Sequence, residues 1–295
     1  MRLRLRKSIH GTTLLYLIRK YLVDLQKSVL ISVVIPTLNS EKYLEQCLSS
    51  IRDQKDVEVE IIIVDGFSTD ATRDIVQLYD SILLTRRCNV SEARNIGLEL
   101  AQGDYILFLD SDQVLSHGVL SECLHVCEDC KVDSVILPED SQGDSFWARC
   151  IVFENQVKIV VSGKELPRFF RIDTVRSLGG YDEGMIFGED LDLIIRLERA
   201  GFNVGRVRGR VYHFEHSSLS RIVMKYFSYG KHLSVLLDKY SWGEVFSEYS
   251  LIFSRPIIFW GNVISDPIHG FGAVFLRFVR GFSIVLGLFN EKWFN

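Results

Sequence analysis

Between Val29 and Leu137 the chain alternates short apolar runs with longer amphipathic stretches, and few folds accept that rhythm. Val29–Ile35, Val59–Val64, Tyr105–Leu109 and Val132–Leu137 are rich in β-branched and aromatic residues. Runs of this length and composition read as strands buried on both faces. Between the first two, Glu41–Ile51 sets Leu44, Cys47, Leu48 and Ile51 at helical spacing. Ser68-Thr69-Asp70 is read as the cap of a helix running to about Leu78. Ser91 is read as the cap of a helix through Ala101, with Gly103 as its stop, and a further helix is expected over Ser116–Cys130. Strands alternating with helices predict an α/β fold, a doubly wound, mostly parallel sheet with helices on both faces. Pro36 is expected to end the first strand and turn the chain toward the crevice.

The second half is less regular. Arg168–Arg171 reads as a strand, Glu189–Ala200 as an amphipathic helix stopped by Gly201, and Ser218–Asp238 as a longer helix. From Val245 to Phe294 the chain is rich in Phe, Ile, Val and Trp. Phe271–Phe289 is nearly all apolar but holds Arg277 and Arg280, and two arginines make a simple transmembrane span costly. An interfacial or re-entrant segment is the expectation, with a helical hairpin covering the core as the alternative. Three regions follow: a basic amphipathic helix over 1–28, one α/β domain over 29–240 and an apolar helical region over 241–295.

Charge supports that division. The net charge of −4 gives no reason to expect nucleic-acid binding. Residues 1–28 hold Arg2, Arg4, Arg6, Lys7, Arg19, Lys20 and Lys27 against Asp24 alone, +6, which leaves −10 for the remainder. With the stripe Leu14, Leu15, Leu17, Ile18 and Leu22, this leader is expected either to lie on an anionic membrane surface or to pack on the domain as a solvated helix. Leu14–Ile18 is too short for a secretory core, and no small-residue cleavage site follows it. The six cysteines lack the spacing of a disulfide framework, so a reducing compartment is expected. Cys123, Cys127 and Cys130 fall on one helix face with Leu120 and Leu124, which reads as a core stripe rather than a metal site.

The run Gly103-Asp104-Tyr105-Ile106-Leu107-Phe108-Leu109-Asp110-Ser111-Asp112 joins a buried strand to two carboxylates one residue apart. In an open parallel sheet, ligands bind outside the carboxyl ends of the strands. Asp110 and Asp112, with Ser111 between them, are expected at that rim, where a hard divalent cation and a diphosphate can be held together. Thr37 and Asn39, just past Pro36, and Asp65, ending the second strand, are expected there too, facing a nucleotide. Arg94 supplies a guanidinium suited to a diphosphate. Glu189 and Asp190 open a helix after the loop Gly179–Gly188, where acids are stabilised by the helix N-terminus, whether as caps or as catalysts. His213 and His216 follow the strand-like Val211-Tyr212, and spacing does not choose between them.

Four segments, in order and at characteristic spacing, resemble the family 2 glycosyltransferases of the GT-A fold. They are Val33-Val34-Ile35-Pro36-Thr37-Leu38-Asn39; Val64-Asp65-Gly66-Phe67-Ser68-Thr69-Asp70; Ser91-Glu92-Ala93-Arg94-Asn95-Ile96-Gly97 with the Asp110-Ser111-Asp112 strand; and Gly179-Gly180-Tyr181-Asp182-Glu183 leading to Gly188-Glu189-Asp190-Leu191-Asp192. The resemblance covers roughly Ile31 to Lys231. It implies a metal-dependent, inverting glycosyltransferase of the hexosyltransferase type; the membrane-adhesive chain ends add the expectation that it works on the cytoplasmic side of a membrane. The implied donor is a UDP- or GDP-sugar, and the implied acceptor is a glycan or a polyprenyl-linked species.

The implied roles follow the motifs. Asp65 contacts the nucleobase, and Pro36, Thr37, Asn39, Arg94, Asp110 and Ser111 complete the donor site. Asp112 ligates Mg²⁺ or Mn²⁺, with Asp110, His213 and His216 as further metal-side residues. Asp190 is the general base, and Glu189 and Asp192 orient the acceptor or the base. Phe67 stands where the family often has glycine, and one acid of its Asp-Asp-Gly motif is missing. No Gln-x-x-Arg-Trp follows Asp190, so transfer of a single sugar is expected. A sugar-phosphate nucleotidyltransferase would carry a glycine-rich basic loop where Pro36-Thr37-Leu38-Asn39 stands. A non-catalytic binding module of the same fold would tolerate loss of Asp112 or Asp190, and both are present.

Overall fold

The computed structural model describes residues 29–162, 165–215, 218–241 and 256–294. The helix expected over 1–28 and His216 lie outside the described residues. At the centre of the main sheet, β1 (Leu30–Thr37) pairs in parallel with β2 (Glu58–Asp65) on one side and β4 (Tyr105–Phe108) on the other. The β2 side continues to β3 (Ile82–Thr85), also parallel. The β4 side continues through β8 (Phe169–Arg171), antiparallel to both its neighbours, to β6 (Ser134–Ile136) and β9 (Val204–Arg206). The order is β3-β2-β1-β4-β8-β6-β9. The winding reverses between β1 and β4, which opens a crevice past their carboxyl ends. A second sheet of β5 (Gln113–Leu115), β10 (Val211–Phe214) and β7 (Glu139–Gln142), in the order β5-β10-β7, stands beside that crevice.

Successive residues of a strand point to opposite faces, and both faces here are covered. Val33, Ile35, Ile61, Ile63 and Leu107 pack against α1 (Leu44–Arg52) and α4 (Val119–Asp129). Val34, Ile62, Val64, Ile106 and Phe108 pack against α3 (Val90–Leu100), α6 (Ile172–Ser177) and α7 (Glu189–Arg199). Burial on both sides is the reason these strands read as continuous apolar runs.

Several local expectations are corrected. Pro36 does not stop β1; it pairs in register with Val64. Val34 O accepts from Leu109 N, so Pro36, two residues on, faces the same side, where β4 has already ended and no partner awaits its missing N–H. The first helix starts at Leu44 because Tyr43 and Leu44 both bond to Ser40 O in a turn, while Glu41 instead accepts from Ala71 N. Asn89, not Ser91, caps α3, in a reciprocal box with Glu92, and the Ser91 hydroxyl donates to Met185 O. The helix after Asp65 is only α2 (Thr72–Val76); Asp70 accepts from Thr72 N, but Ser68 turns to Asp65 instead. Cys123 and Cys127 are buried as expected, whereas Cys130 sits past the end of α4, exposed.

Strands β3, β5 and β7 and helix α5 (Phe146–Ser162) have no counterpart in the sequence reading. Helix α5 lies between the domain and the C-terminal helices and buries Ala148, Cys150, Phe153 and Val157. A helix covered on opposite sides has no polar face to mark its period. Helix α8 (Leu219–Lys239), with Ser218 at its N-cap, is followed by α9 (Pro256–Ser265) and α10 (Pro267–Phe294). Helix α10 runs alongside α8, and its Arg277 and Arg280 both pair with Glu154 of α5, at 2.8 and 2.6 Å.

Candidate active site

The loops after β1 and β2 are tied together at the crevice. Asp65 is fully buried; its carboxylate accepts from Thr37 Oγ1 (3.1 Å), Ser68 N (3.0 Å) and Ser68 Oγ. Asn39 N donates to Ser68 Oγ, and Asn39 Oδ1 accepts from Thr69 N, both at 2.9 Å. Asn39 and Phe67 both adopt left-handed backbone, φ 52° and 66°. Polar groups of Thr37 and Asn39 thus serve the loops themselves, while Leu38 and Phe67 are more than half exposed. Ser111 Oγ donates to Ser40 Oγ, which pins the loop after β4 to the loop after β1.

The two acids past β4 meet different surroundings. Asp110 lies 3.0 Å from Arg94 Nη2 and 3.4 Å from Arg168 Nη1. Burial alone would raise its pKa, but Arg94 and then Arg168 hold it well below the usual carboxylate range. Asp112 Oδ1 is 3.5 Å from His213 Nε2, and His213 Nδ1 is 2.8 Å from Glu139 Oε1. Against the pull of burial, hydrogen bonds to Asp112 and Glu139 push His213 up to about 11. Glu139 is lowered to about 2: burial opposes this, and the His213 hydrogen bond and Arg168 outweigh it. The second sheet makes this cluster, with Gln113, Glu139 and His213 coming from β5, β7 and β10.

Glu139 and Arg168 were not singled out in the sequence. Arg168 opens an expected strand, but Glu139 follows Pro138 in a stretch with no periodicity, and only pairing of β7 with β10 brings it to His213.

On the opposite wall, Gly188 (φ 78°) precedes α7, whose first turn carries Glu189 and Asp190. Arg94 Nη1 lies between them, 3.2 Å from Glu189 Oε1 and 3.0 Å from Asp190 Oδ1. Only 4% of the Arg94 side chain is exposed, and its guanidinium sits 5.0 Å above the Tyr181 ring. Arg94, expected from the sequence to suit a diphosphate, therefore links the acid after β4 to the acids opening α7. Burial, and next the Asp190 carboxylate, raise Glu189 to about 7 against the attraction of Arg94.

Asp192 lies elsewhere. It is fully buried and held by Arg196, by Lys239 Nζ (2.8 Å) and by Tyr240 Oη (2.7 Å), so it anchors α7 to the end of α8. Two residues along a helix turn the side chain away from the Asp190 face. Tyr229 of α8 stacks on Phe187 (4.6 Å); burial, then Glu189, Asp110 and Asp190, raise its phenol.

Among the described residues no three His, Cys, Asp or Glu side chains form a ready cation cage. The donor set still fits Mg²⁺ or Mn²⁺. Asp112 offers a part-exposed carboxylate at the crevice, with the His213 imidazole beside it. Such hard cations take one or two carboxylates and complete their shell with water and substrate phosphate.

A sequence model of the family described as Glycosyl transferase family 2 matches residues 32–176. The chain is 44% identical over 90 residues to the putative teichuronic acid biosynthesis glycosyltransferase TuaG of Bacillus subtilis, a match covering 28% of this chain and 36% of that one. It spans about half or less of the length of two further curated relatives, a Haemophilus influenzae glycosyltransferase and Staphylococcus aureus TarS. The crystal structure of S. aureus TarS 1–349 superposes with a TM-score of 0.53 at 18% identity, covering 90% of each chain. The mannosyltransferase PcManGT from Pyrobaculum calidifontis, in complex with GDP-Man and Mn²⁺, gives 0.58 at 16% identity, covering 96% of this chain and 95% of that one. These likenesses establish the GT-A fold.

Proposed function

We propose that the chain, whose residues 32–176 match the family described as Glycosyl transferase family 2, moves one sugar from a nucleoside diphosphate sugar to an acceptor, inverting the anomeric centre. One observation carries the reading: Arg94 joins Asp110, beside the cation ligand Asp112, to Asp190 at the start of α7. Donor and acceptor chemistry can then meet across one guanidinium. Asp190, part-exposed and hydrogen-bonded, is the general base: it takes the proton of the acceptor hydroxyl as that oxygen attacks the anomeric carbon. The bond to the diphosphate oxygen breaks on the opposite face, and a single displacement inverts the centre.

Asp112, with the His213 imidazole beside it, would hold a Mg²⁺ or Mn²⁺ ion, which would supply charge neutralisation for the departing diphosphate. Asp110 stays ionised between two arginines and faces the ribose or sugar. Asp65, with Thr37 and Asn39, forms the floor for the nucleobase, walled by Leu38 and Phe67. Glu189 shares Arg94 with the base and orients it; Asp192 acts at a distance, through the seat of α7. TarS crystallised with UDP-GlcNAc and PcManGT with GDP-Man support a UDP- or GDP-sugar donor. The name of TuaG, a teichuronic acid biosynthesis glycosyltransferase, supports a cell-surface glycan as product; a lipid-linked acceptor at the cytoplasmic face of the membrane is the reading that the apolar α10 supports.

The test is thermal stabilisation of the full chain by UDP-, GDP- and dTDP-sugars, with and without Mn²⁺, since a ligand of the folded state alone raises its stability. One nucleotide should stabilise only when metal is present, and Asp112→Ala should lose that response. Asp190→Asn should bind the donor as well as the wild type yet transfer at least about a hundredfold more slowly. Equal donor affinity without Asp112 would sink the metal role, and full turnover by Asp190→Asn would sink the base.

A further inference from the structure

Helix α10 carries Ile268, Phe271, Phe275, Phe278, Phe282 and Phe289 on one side, each between 49% and 74% exposed. Their steps of three, four or seven residues keep them in one stripe along the helix. The stripe spans roughly 30 Å at the helical rise, and on α9 the exposed Trp260 and Ile264 add to it. An apolar face of this size on a soluble surface marks an interaction site. We infer that it docks flat on a lipid bilayer carrying anionic headgroups, with α10 in the plane of the interface. This rests on the transferase reading only for its purpose, bringing a lipid-borne acceptor to α7.

Three observations choose the bilayer. First, the stripe has the spacing of a coiled-coil seam, but the positions flanking it are glycine, valine and leucine, none charged. A second copy would be selected by charges there, and phenylalanine is a poor choice for a seam. Second, the opposite face of α10 is committed to the domain: Arg277 and Arg280 hold Glu154, and at Gly287 a Cβ would come within 2.1 Å of Phe227 O. A span would strip both arginines from their partner. Third, positive charge gathers beside the stripe. Helix α8 carries Arg221, Lys225, Lys231 and Lys239 against Asp238, +3 in a chain of net charge −4. Ile222 of α8 packs with Leu276 of α10, which sets the exposed Arg221 and Lys225 next to the aromatic face. Aromatic rings with flanking cations are what an anionic interface binds.

The docked face connects to the acceptor side through packed elements. Helix α8 holds α10 at Gly230, stacks Tyr229 on Phe187, and grips Asp192 through Lys239 and Tyr240.

The experiment is flotation of the full chain with phosphatidylcholine vesicles, with and without phosphatidylglycerol. The wild type should float with the anionic vesicles and come off in alkaline carbonate. Phe278→Glu/Phe282→Glu should lose at least about tenfold in partition, with unchanged melting and unchanged nucleotide-sugar binding. Ile268→Glu/Phe271→Glu serves the same purpose if the first pair misfolds. Equal flotation of the variants overturns the proposal. So does retention after carbonate, which means a span, or a vesicle-free dimer that the substitutions dissolve, which means a second copy. Nucleotide binding without flotation sinks the docking surface alone, and flotation without nucleotide binding sinks the transferase reading alone.

Discussion

A guanidinium surrounded by three carboxylates, almost cut off from water, sets the terms for everything near Arg94. Asp110, Glu189 and Asp190 share its charge, and its removal strands them together. Arg94→Met should therefore cost about 3–5 kcal/mol in chemical denaturation, the usual result of breaking a buried charged group from one side. Glu189 offers a pH test. Its folded-state pKa, about 7, lies above the ordinary 4.5, so its contribution to stability is complete below about pH 4.5 and lost as pH rises through about 7. Asp110 and Glu139 are lowered, so their contributions are lost only in acid, below the usual carboxylate range. The stability of the ligand-free protein in denaturant should thus fall by on the order of 2 kcal/mol between about pH 5 and 6.5, and Glu189→Gln should flatten that slope; His213, pushed up to about 11, adds its own loss only above its ordinary 6.5. A wild-type profile flat over this range would contradict the assignment.

Helices α8 and α10 meet backbone to backbone. A Cβ at Gly230 would lie 2.1 Å from Ile284 O, and one at Gly287 equally close to Phe227 O. Small residues permit such an approach, and any side chain forces the helices apart. Gly230→Ala adds about 1 kcal/mol of intrinsic helix preference, so a net loss of roughly 1–3 kcal/mol in denaturant titration would report the packing alone. At this scale the sequence was legible where one face of an element meets water. The apolar spacing of Glu41–Ile51 and Glu189–Ala200 marked α1 and α7 to within a few residues. It was silent on α5, which is covered on opposite sides, and on β5 and β7, of three and four residues, too short to show a period.

For the whole molecule, charge is divided: acidic over most of the α/β domain, basic in the leader and along α8. Raising ionic strength from about 0.1 to 1 M shortens the screening length from about 10 to 3 Å. Vesicle binding should weaken across that range yet persist, because the aromatic face is not screened; complete loss would mean that charge alone holds the protein there. The alternation of apolar runs and amphipathic stretches by itself determined the wound sheet, and the acids at Asp65, Asp110 and Asp112 determined which rim carries polar chemistry. Both follow from local periodicity, which a chain carries in its own order. The tertiary structure alone decided how those acids are held. Glu139 and Arg168 reach Asp110 and His213, and Arg94 reaches Asp190, across separations of up to 96 residues. Asp192, two residues past Asp190 in sequence, is drawn away into the seat of α7. Contacts between distant segments depend on strand order and helix docking, and no spacing along the chain encodes their distances.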